Sequence, residues 1–332
     1  ILKGKWLRLL PTFLLVNTIM FVFLSSSINY DNLANLFSVL SIYMFVKFVK
    51  SKLDIKYIYL MLIFLCLGTL TKYTILPLAF ILVLLSILHI YIERKKIKNI
   101  EFRKGYLYIV PILILAVLNI QLYGTNILKY GGLEPKCDQV LTHEQCLTNG
   151  VYYRDMITIP GIEVEGIGHI FKMIVNGERE TPIIYFGYWI YNIIGKVHGI
   201  MGDNSMPITD AMKVLYLLFL STGIYLGINN YKKWKLLDIY LIVIFFSYAS
   251  ILFFAQNYKM YLKHDHMFLA LQGRYLFPVI STGYIIYSKS LSFIKSKRIF
   301  YSFLILLLLL FVLGFITFFF LNVESHWFNI NF

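Results

Sequence analysis

Long apolar runs alternate with short, mostly basic breaks along this 332-residue chain. A helix needs about 20 apolar residues to cross a bilayer core. Runs of that kind lie at roughly 9–25, 33–49, 106–123, 209–228, 236–254, 276–290 and 299–321. The run 57–92 is too long for one span, and Gly68-Thr69-Leu70-Thr71-Lys72-Tyr73-Thr74 breaks it. It divides into helices at 57–70 and 74–92, with Lys72 in the turn between them. The pattern therefore predicts about nine transmembrane helices and an all-α polytopic fold. A polar insert at 124–207 separates an N-terminal group of helices (1–123) from a C-terminal group (208–332). Inside the insert, 164–175 and 183–200 are apolar enough to be helical. The second is rich in Tyr and Trp, residues that prefer the headgroup level, and is expected to lie on the outer leaflet.

Composition agrees with the pattern. The chain is 59% hydrophobic and 14% charged, against about 25% charged in a soluble domain. The net charge of +14 does not point to nucleic acid, because the basic residues fall in short clusters between spans. With the N-terminus inside, alternate loops on the inner side hold 20 of the 31 Lys and Arg residues but only Asp54, Glu93, Glu101 and Asp238 of the 17 acids. Basic residues in short loops favour the cytoplasm, so this orientation is preferred. It puts the insert, Asp31, Lys72 and Arg274 outside. The residues from Ile1 to Arg8 lack a signal peptide's layout and lead straight into an apolar run. The expectation is that the chain is the later part of a longer protein.

Three ionisable groups stand at outer helix ends. Arg274, in Gln272-Gly273-Arg274-Tyr275-Leu276-Phe277-Pro278, is a fixed cation directly before a hydrophobic helix. Its planar fork suits phosphate oxygens, and Lys72 adds a point charge. Headgroup anchoring without chemistry is the other reading of Arg274, and snorkelling that of Lys72. Asp31 also suits a helix N-cap. Cys137 and Cys146 lie in the outer insert, where a disulfide can form. A Zn site there, or one at His264 and His266, is weakly supported by the spacing. Carboxylates on the outer side that could act as a base are Asp31, Asp155, Glu163, Glu165, Asp203 and Asp265.

In chain order, Ser27-Ile28-Asn29-Tyr30-Asp31, the Lys72 turn, the segment 130–154 with its two Cys, and the Gln-Gly-Arg-Tyr motif resemble a bacterial family of multi-pass membrane proteins. That family is of unknown function and belongs to the GT-C glycosyltransferase clan, beside protein mannosyltransferases and lipid A aminoarabinose transferases. The resemblance implies a GT-C-like bundle in the bacterial cytoplasmic membrane. It also implies transfer of a sugar from a polyprenyl-phosphate donor to an extracytoplasmic acceptor. Arg274 and Lys72 would then bind the donor phosphate, and Asp31, Tyr30, Tyr73, Gln272 and Tyr275 would position substrate. The clan's usual catalytic carboxylate follows the first span of the whole protein and is expected upstream of residue 1. No metal ligand set is apparent, and dependence on a divalent metal stays open because clan members differ. A polysaccharide polymerase or ligase is a second reading. A lipid or glycan transporter is a third, though the middles of several spans lack the ionisable or helix-breaking residues such proteins use.

Overall fold

The computed structural model describes Leu2 and residues 4–51, 53–95, 107–200 and 206–322. Lys3, Lys52, Lys96, Glu101, Arg103, Lys104 and Asp203, all used in the sequence argument, lie outside the described residues. Among the described residues the protein is helical, with a single isolated bridge pairing Ile200 and Met206.

Every predicted apolar run is a helix. The first is broken, into α1 (Lys5–Val16) and α2 (Ile19–Ser25), bent by 66°. Thr18 takes an extended conformation at the break, and its hydroxyl bonds back to the Leu14 carbonyl at 2.8 Å. It also pairs with the Tyr284 hydroxyl at 2.5 Å, so the break is braced rather than loose. Then come α3 (Tyr30–Lys50), α4 (Ile55–Thr71), a 3₁₀ turn (Tyr73–Ile75) running into α5 (Leu76–Ile92), and α6 (Ile109–Tyr130).

The insert holds the short α7 (His143–Cys146) and α8 (Gly150–Tyr153), then α9 (Gly166–Val175) and α10 (Pro182–His198). After it, α11 (Asp210–Asn229) precedes a continuous helix of 29 residues, Leu236–His264. That helix comprises α12 (Leu236–Ile251), a π segment (Leu252–Tyr258) and α13 (Lys259–His264). A 3₁₀ turn (Gly273–Leu276) leads into α14 (Phe277–Leu291), followed by α15 (Lys297–Val312) and α16 (Phe318–Asn322).

Among the described residues, five helices are long and apolar enough to cross a membrane, or six if the bent pair is one span. α4, α14 and α15 are shorter, at 17, 15 and 16 residues. No residue of α6 is buried, which fits a helix whose apolar sides, such as Val110, Leu113 and Val117, face lipid.

The chain divides into two compact units that interleave in sequence: Ile1–Asn32, Tyr188–Ser250 and Leu271–Phe332 form one, Leu33–Gly187 and Ile251–Ala270 the other. In the first unit, α14 packs on α1 and α11. Met20, Leu24, Val197, Phe277 and Ile280 form one of its core clusters, joining α2, the end of α10 and the start of α14. In the second unit, α4 packs on α6 through polar groups as well as apolar ones. The Thr69 hydroxyl donates to Asn119 Oδ1 at 2.7 Å, and the Tyr123 hydroxyl donates to the Thr69 carbonyl at 2.5 Å.

Also in the second unit, the insert is fastened to the segment after the π turn. The Ile162 amide donates to the Lys263 carbonyl, and Arg179 Nε to that of Leu262. His264 Nδ1 meets the Ile159 carbonyl at 2.7 Å. Tyr185, fully buried, stacks on Tyr261 at 4.8 Å. The aromatic residues of α10 are therefore divided: Tyr185 and Trp189 are buried, while Phe186 and Tyr188 are exposed.

Candidate functional site

Asp31 and Arg274, 243 positions apart in sequence, meet in the first unit. Asp31 sits in the first turn of α3, where a negative charge suits the helix dipole. The N-cap role falls to Asn29, whose Oδ1 accepts from the Asp31 amide at 2.9 Å. Asn32 fastens this corner to the end of α2, donating to the Leu24 and Ser27 carbonyls.

Arg274 is set by the 3₁₀ turn before α14, where Pro278 takes an early helical position that costs no intrahelical bond. Phe277 packs edge-on against Phe21 of α2, which draws the turn towards the α2–α3 corner. Gly273 lies against the backbone of Lys196 and Val197 in the last turn of α10. A Cβ there would collide with the Lys196 carbonyl, so the motif needs Gly for space.

The result is an ion pair with Arg274 Nε 3.8 Å from Asp31 Oδ2. The Asp31 side chain is 7% exposed and that of Arg274 is 32% exposed. The separation is too long for a hydrogen bond, and Arg274 Nε is buried with no hydrogen-bond partner among the described residues. The guanidinium also lies 5.8 Å from the Tyr275 ring centroid. Gln272 and Tyr275 flank it in sequence and are half-buried; Tyr30, beside Asp31, is 61% exposed. This corner thus combines a fixed cation, donors not yet used and a carboxylate close enough to orient it.

Lys72 and Tyr73 belong to the second unit. Lys72 is the residue at which α4 ends, its amide bonded to the Gly68 carbonyl at 2.9 Å. Gly68 is close-packed: a Cβ would stand 3.2 Å from Ile75 and 3.4 Å from Phe37. The turn that presents Lys72 is held by that packing.

The other acids divide plainly. Asp155 is taken by Arg154, with Nε at 2.7 Å, and Asp265 lies 3.3 Å from Arg179. Glu163 and Glu165 are exposed on the segment before α9. Cys137 and Cys146 are bonded, their Cα atoms 5.7 Å apart. His264 is buried against Ile159 while His266 packs on Phe268. Among the described residues no three His, Cys, Asp or Glu come together as a metal site.

Two features escaped the sequence argument. Glu134, in the turn after α6, lies close enough to Lys72 for that ammonium to lower its pKa, while burial raises it more. Its only sequence signal was its place in Gly131-Gly132-Leu133-Glu134, just past a span. His198, at the end of α10, is buried, its Nδ1 without a hydrogen-bond partner among the described residues, and it stacks on Tyr216 at 3.8 Å. Burial lowers its pKa to about 3.

Residues 3–121 match the family model for dolichyl-phosphate-mannose-protein mannosyltransferase. Comparison with curated proteins and with solved structures finds no match. The matched stretch covers α1 to α5 and half of α6, and so includes Asp31 and Lys72. Over that stretch, rather more than a third of the chain, the sequence is similar to this mannosyltransferase family, and the described residues hold five or six membrane-capable helices.

Proposed function

We propose that this protein transfers a sugar from a polyprenyl-phosphate donor to an acceptor hydroxyl on the outer face of the bacterial cytoplasmic membrane. The observation that carries this reading is the Asp31–Arg274 pair. A permanent cation is held at the mouth of apolar helices, its Nε buried and without a hydrogen bond. When the sugar leaves its carrier, negative charge collects on the phosphate. A positioned cation stabilises that charge, which is the form of catalysis with most effect in a partly dry site. Asp31 holds Arg274 in place without consuming its donors. Tyr30, Gln272 and Tyr275 are proposed to position substrate around the pair, and Tyr73 to do so beside Lys72.

Lys72 is proposed as a second ligand for donor phosphate. The donor sugar to try first is mannose, and the acceptor a protein, because the matched family's description names both. The orientation that follows from loop charge places these groups outside.

The test is reconstitution in proteoliposomes with polyprenyl-phosphate mannose and a peptide bearing Ser and Thr, following release of polyprenyl phosphate. Wild type is expected to release it, and Arg274→Gln to release far less while remaining folded. Absence of release with any prenyl-phosphate sugar, coupled with movement of lipid or glycan across the bilayer, would replace this reading with the transporter.

A further inference from the structure

We infer that α9 is an anchor that lies in the lipid surface and holds the insert against the bilayer. The anchor does not depend on the transferase reading, since it concerns only where the insert sits. α9 has two unlike sides. Ile167, Phe171 and Val175 recur every fourth residue, which sets them in one stripe along the helix. They are 86%, 69% and 67% exposed. Met173, on the other side of the helix, is buried. An open apolar stripe of this size marks a contact with lipid or with another protein.

The attachments of the insert set the height of the stripe, and all of them lie in the second unit. Before α9, the Ile162 amide donates to the Lys263 carbonyl, and His264 Nδ1 meets the Ile159 carbonyl. After it, Arg179 Nε donates to the Leu262 carbonyl, and the Glu180 amide to the Tyr261 hydroxyl. Both ends of the α9 segment are therefore fastened to the last turn of α13. Earlier on the same continuous helix, Tyr185 and Phe186 of α10 pack on Phe253, with ring centroids 5.6 and 5.7 Å apart.

Phe253 belongs to the apolar run of that span, and the polar residues Gln256, Asn257 and Lys259 follow it. The edge of the hydrocarbon core therefore falls just after Phe253. From there to Lys263 the helix rises by about 15 Å. A headgroup layer is about 5–8 Å thick. The attachments thus bracket that layer, from the hydrocarbon edge at Phe253 to water at Lys263, and keep α9 and the start of α10 at the membrane surface.

The helix itself fits phospholipid. Its ten residues are too few to cross a bilayer, and none of them is acidic. Lys172 is exposed on the flank of the stripe, where its stem lies along apolar neighbours while its ammonium reaches a lipid phosphate. Glu163, Glu165 and Glu178 stand before and after the helix, clear of the stripe. In α10, by contrast, Tyr185 and Trp189 are buried. α9 therefore offers the leaflet the more continuous apolar face, as an amphipathic helix lying in the interface does.

The test uses the full chain carrying Cys66→Ala, in nanodiscs of phosphatidylethanolamine and phosphatidylglycerol. A nitrobenzoxadiazole probe is attached to one introduced thiol, from Phe171→Cys or Glu178→Cys. Both positions are exposed, and the bonded Cys137 and Cys146 do not react. Quenching is read with lipids brominated at defined acyl carbons and with iodide in the water. The probe at 171 is expected about 5–10 Å below the headgroup surface. Iodide should quench it severalfold less than the probe at 178. Adding Ile167→Ser and Val175→Ser should lower its lipid quenching severalfold. Equal iodide quenching at 171 and 178 would put the stripe in water and overturn the inference. Shielding of 171 from both quenchers would overturn it too, by showing that a polypeptide or a second copy covers the stripe. Neither of these outcomes touches the transferase reading.

Discussion

Arg274→Gln removes a guanidinium whose ion-pair geometry allows the loss to be sized. Unit charges 3.8 Å apart, the Nε–Oδ2 separation, attract by about 4 kcal/mol at an effective dielectric constant of about 20. A phosphate oxygen at the about 2.8 Å of a charge-assisted hydrogen bond would gain about 6 kcal/mol by the same arithmetic. The difference before rounding, about 1.6 kcal/mol, corresponds to about 15-fold in affinity. Asp31 can therefore hold Arg274 and still be outbid by phosphate. The expected result is about 15-fold weaker binding of polyprenyl phosphate to Arg274→Gln. The rate of its release should fall further, by about 10²–10³-fold, as for loss of one preorganised donor at a developing anion. Arg274→Lys should recover only part, because it lacks the planar fork. Affinity is read by product inhibition in proteoliposomes and folding by thermal unfolding in detergent. A twofold or smaller change in product affinity, with the protein less stable, would refute the reasoning. Arg274 would then serve only to neutralise Asp31.

Other outcomes follow from the same structure. In Gly273→Ala the new methyl meets the Lys196 carbonyl, so the Arg274 turn must shift; stability should drop by about 1–3 kcal/mol, the range for overpacking, with activity lost alongside. His198 is neutral in the fold, its pKa lowered to about 3 from the ordinary 6.5. Between those values the unfolded chain binds a proton that the native state does not. Stability should therefore fall by about 1.4 kcal/mol per pH unit as pH drops from 6.5 towards 3, and His198→Phe should flatten that slope in pH-dependent melts. Cys137→Ser opens a loop closed across nine positions; the local cost is about 3 kcal/mol by loop entropy, seen as faster proteolysis of the insert under otherwise native conditions.

The helices were legible because a bilayer demands so much of them: apolar runs of fixed length, with charge confined to the breaks. The kink at Asn17–Thr18 was not, since no Pro or Gly marks it and the Tyr284 partner of Thr18 lies 266 positions away. The insert's attachments were hidden for a related reason. They are made by backbone carbonyls at Ile159, Leu262 and Lys263, and carbonyls carry no signature in sequence. Asp31, Lys72 and Arg274 could be singled out as ionisable groups at helix ends, but not which of them meet. Glu134 was passed over because Gly131-Gly132-Leu133-Glu134-Pro135 reads as an ordinary solvated turn. Its position comes from Asn126 and Gln139 folding that turn back, and those two residues look like unremarkable polar positions near a span's end.

The apolar cluster of the first unit explains how one motif can depend on distant segments. Met20 and Leu24 belong to α2, Val197 to α10, and Phe277 and Ile280 to α14. Each of these segments carries part of the polar corner at its end: Asp31 follows α2, the Lys196 carbonyl receives Gly273, and Arg274 precedes α14. The hydrophobic contacts are not directional, so they fix only that the three ends lie together. Direction comes from the polar devices at each end, the Asn29 cap, the Asn32 clamp and the close approach that only Gly273 permits. Position is thus set by the cluster and orientation by the caps. This is why Arg274 can keep a buried, unbonded Nε beside a nearly buried carboxylate instead of collapsing onto it. That residual freedom is the property a phosphate-binding cation needs.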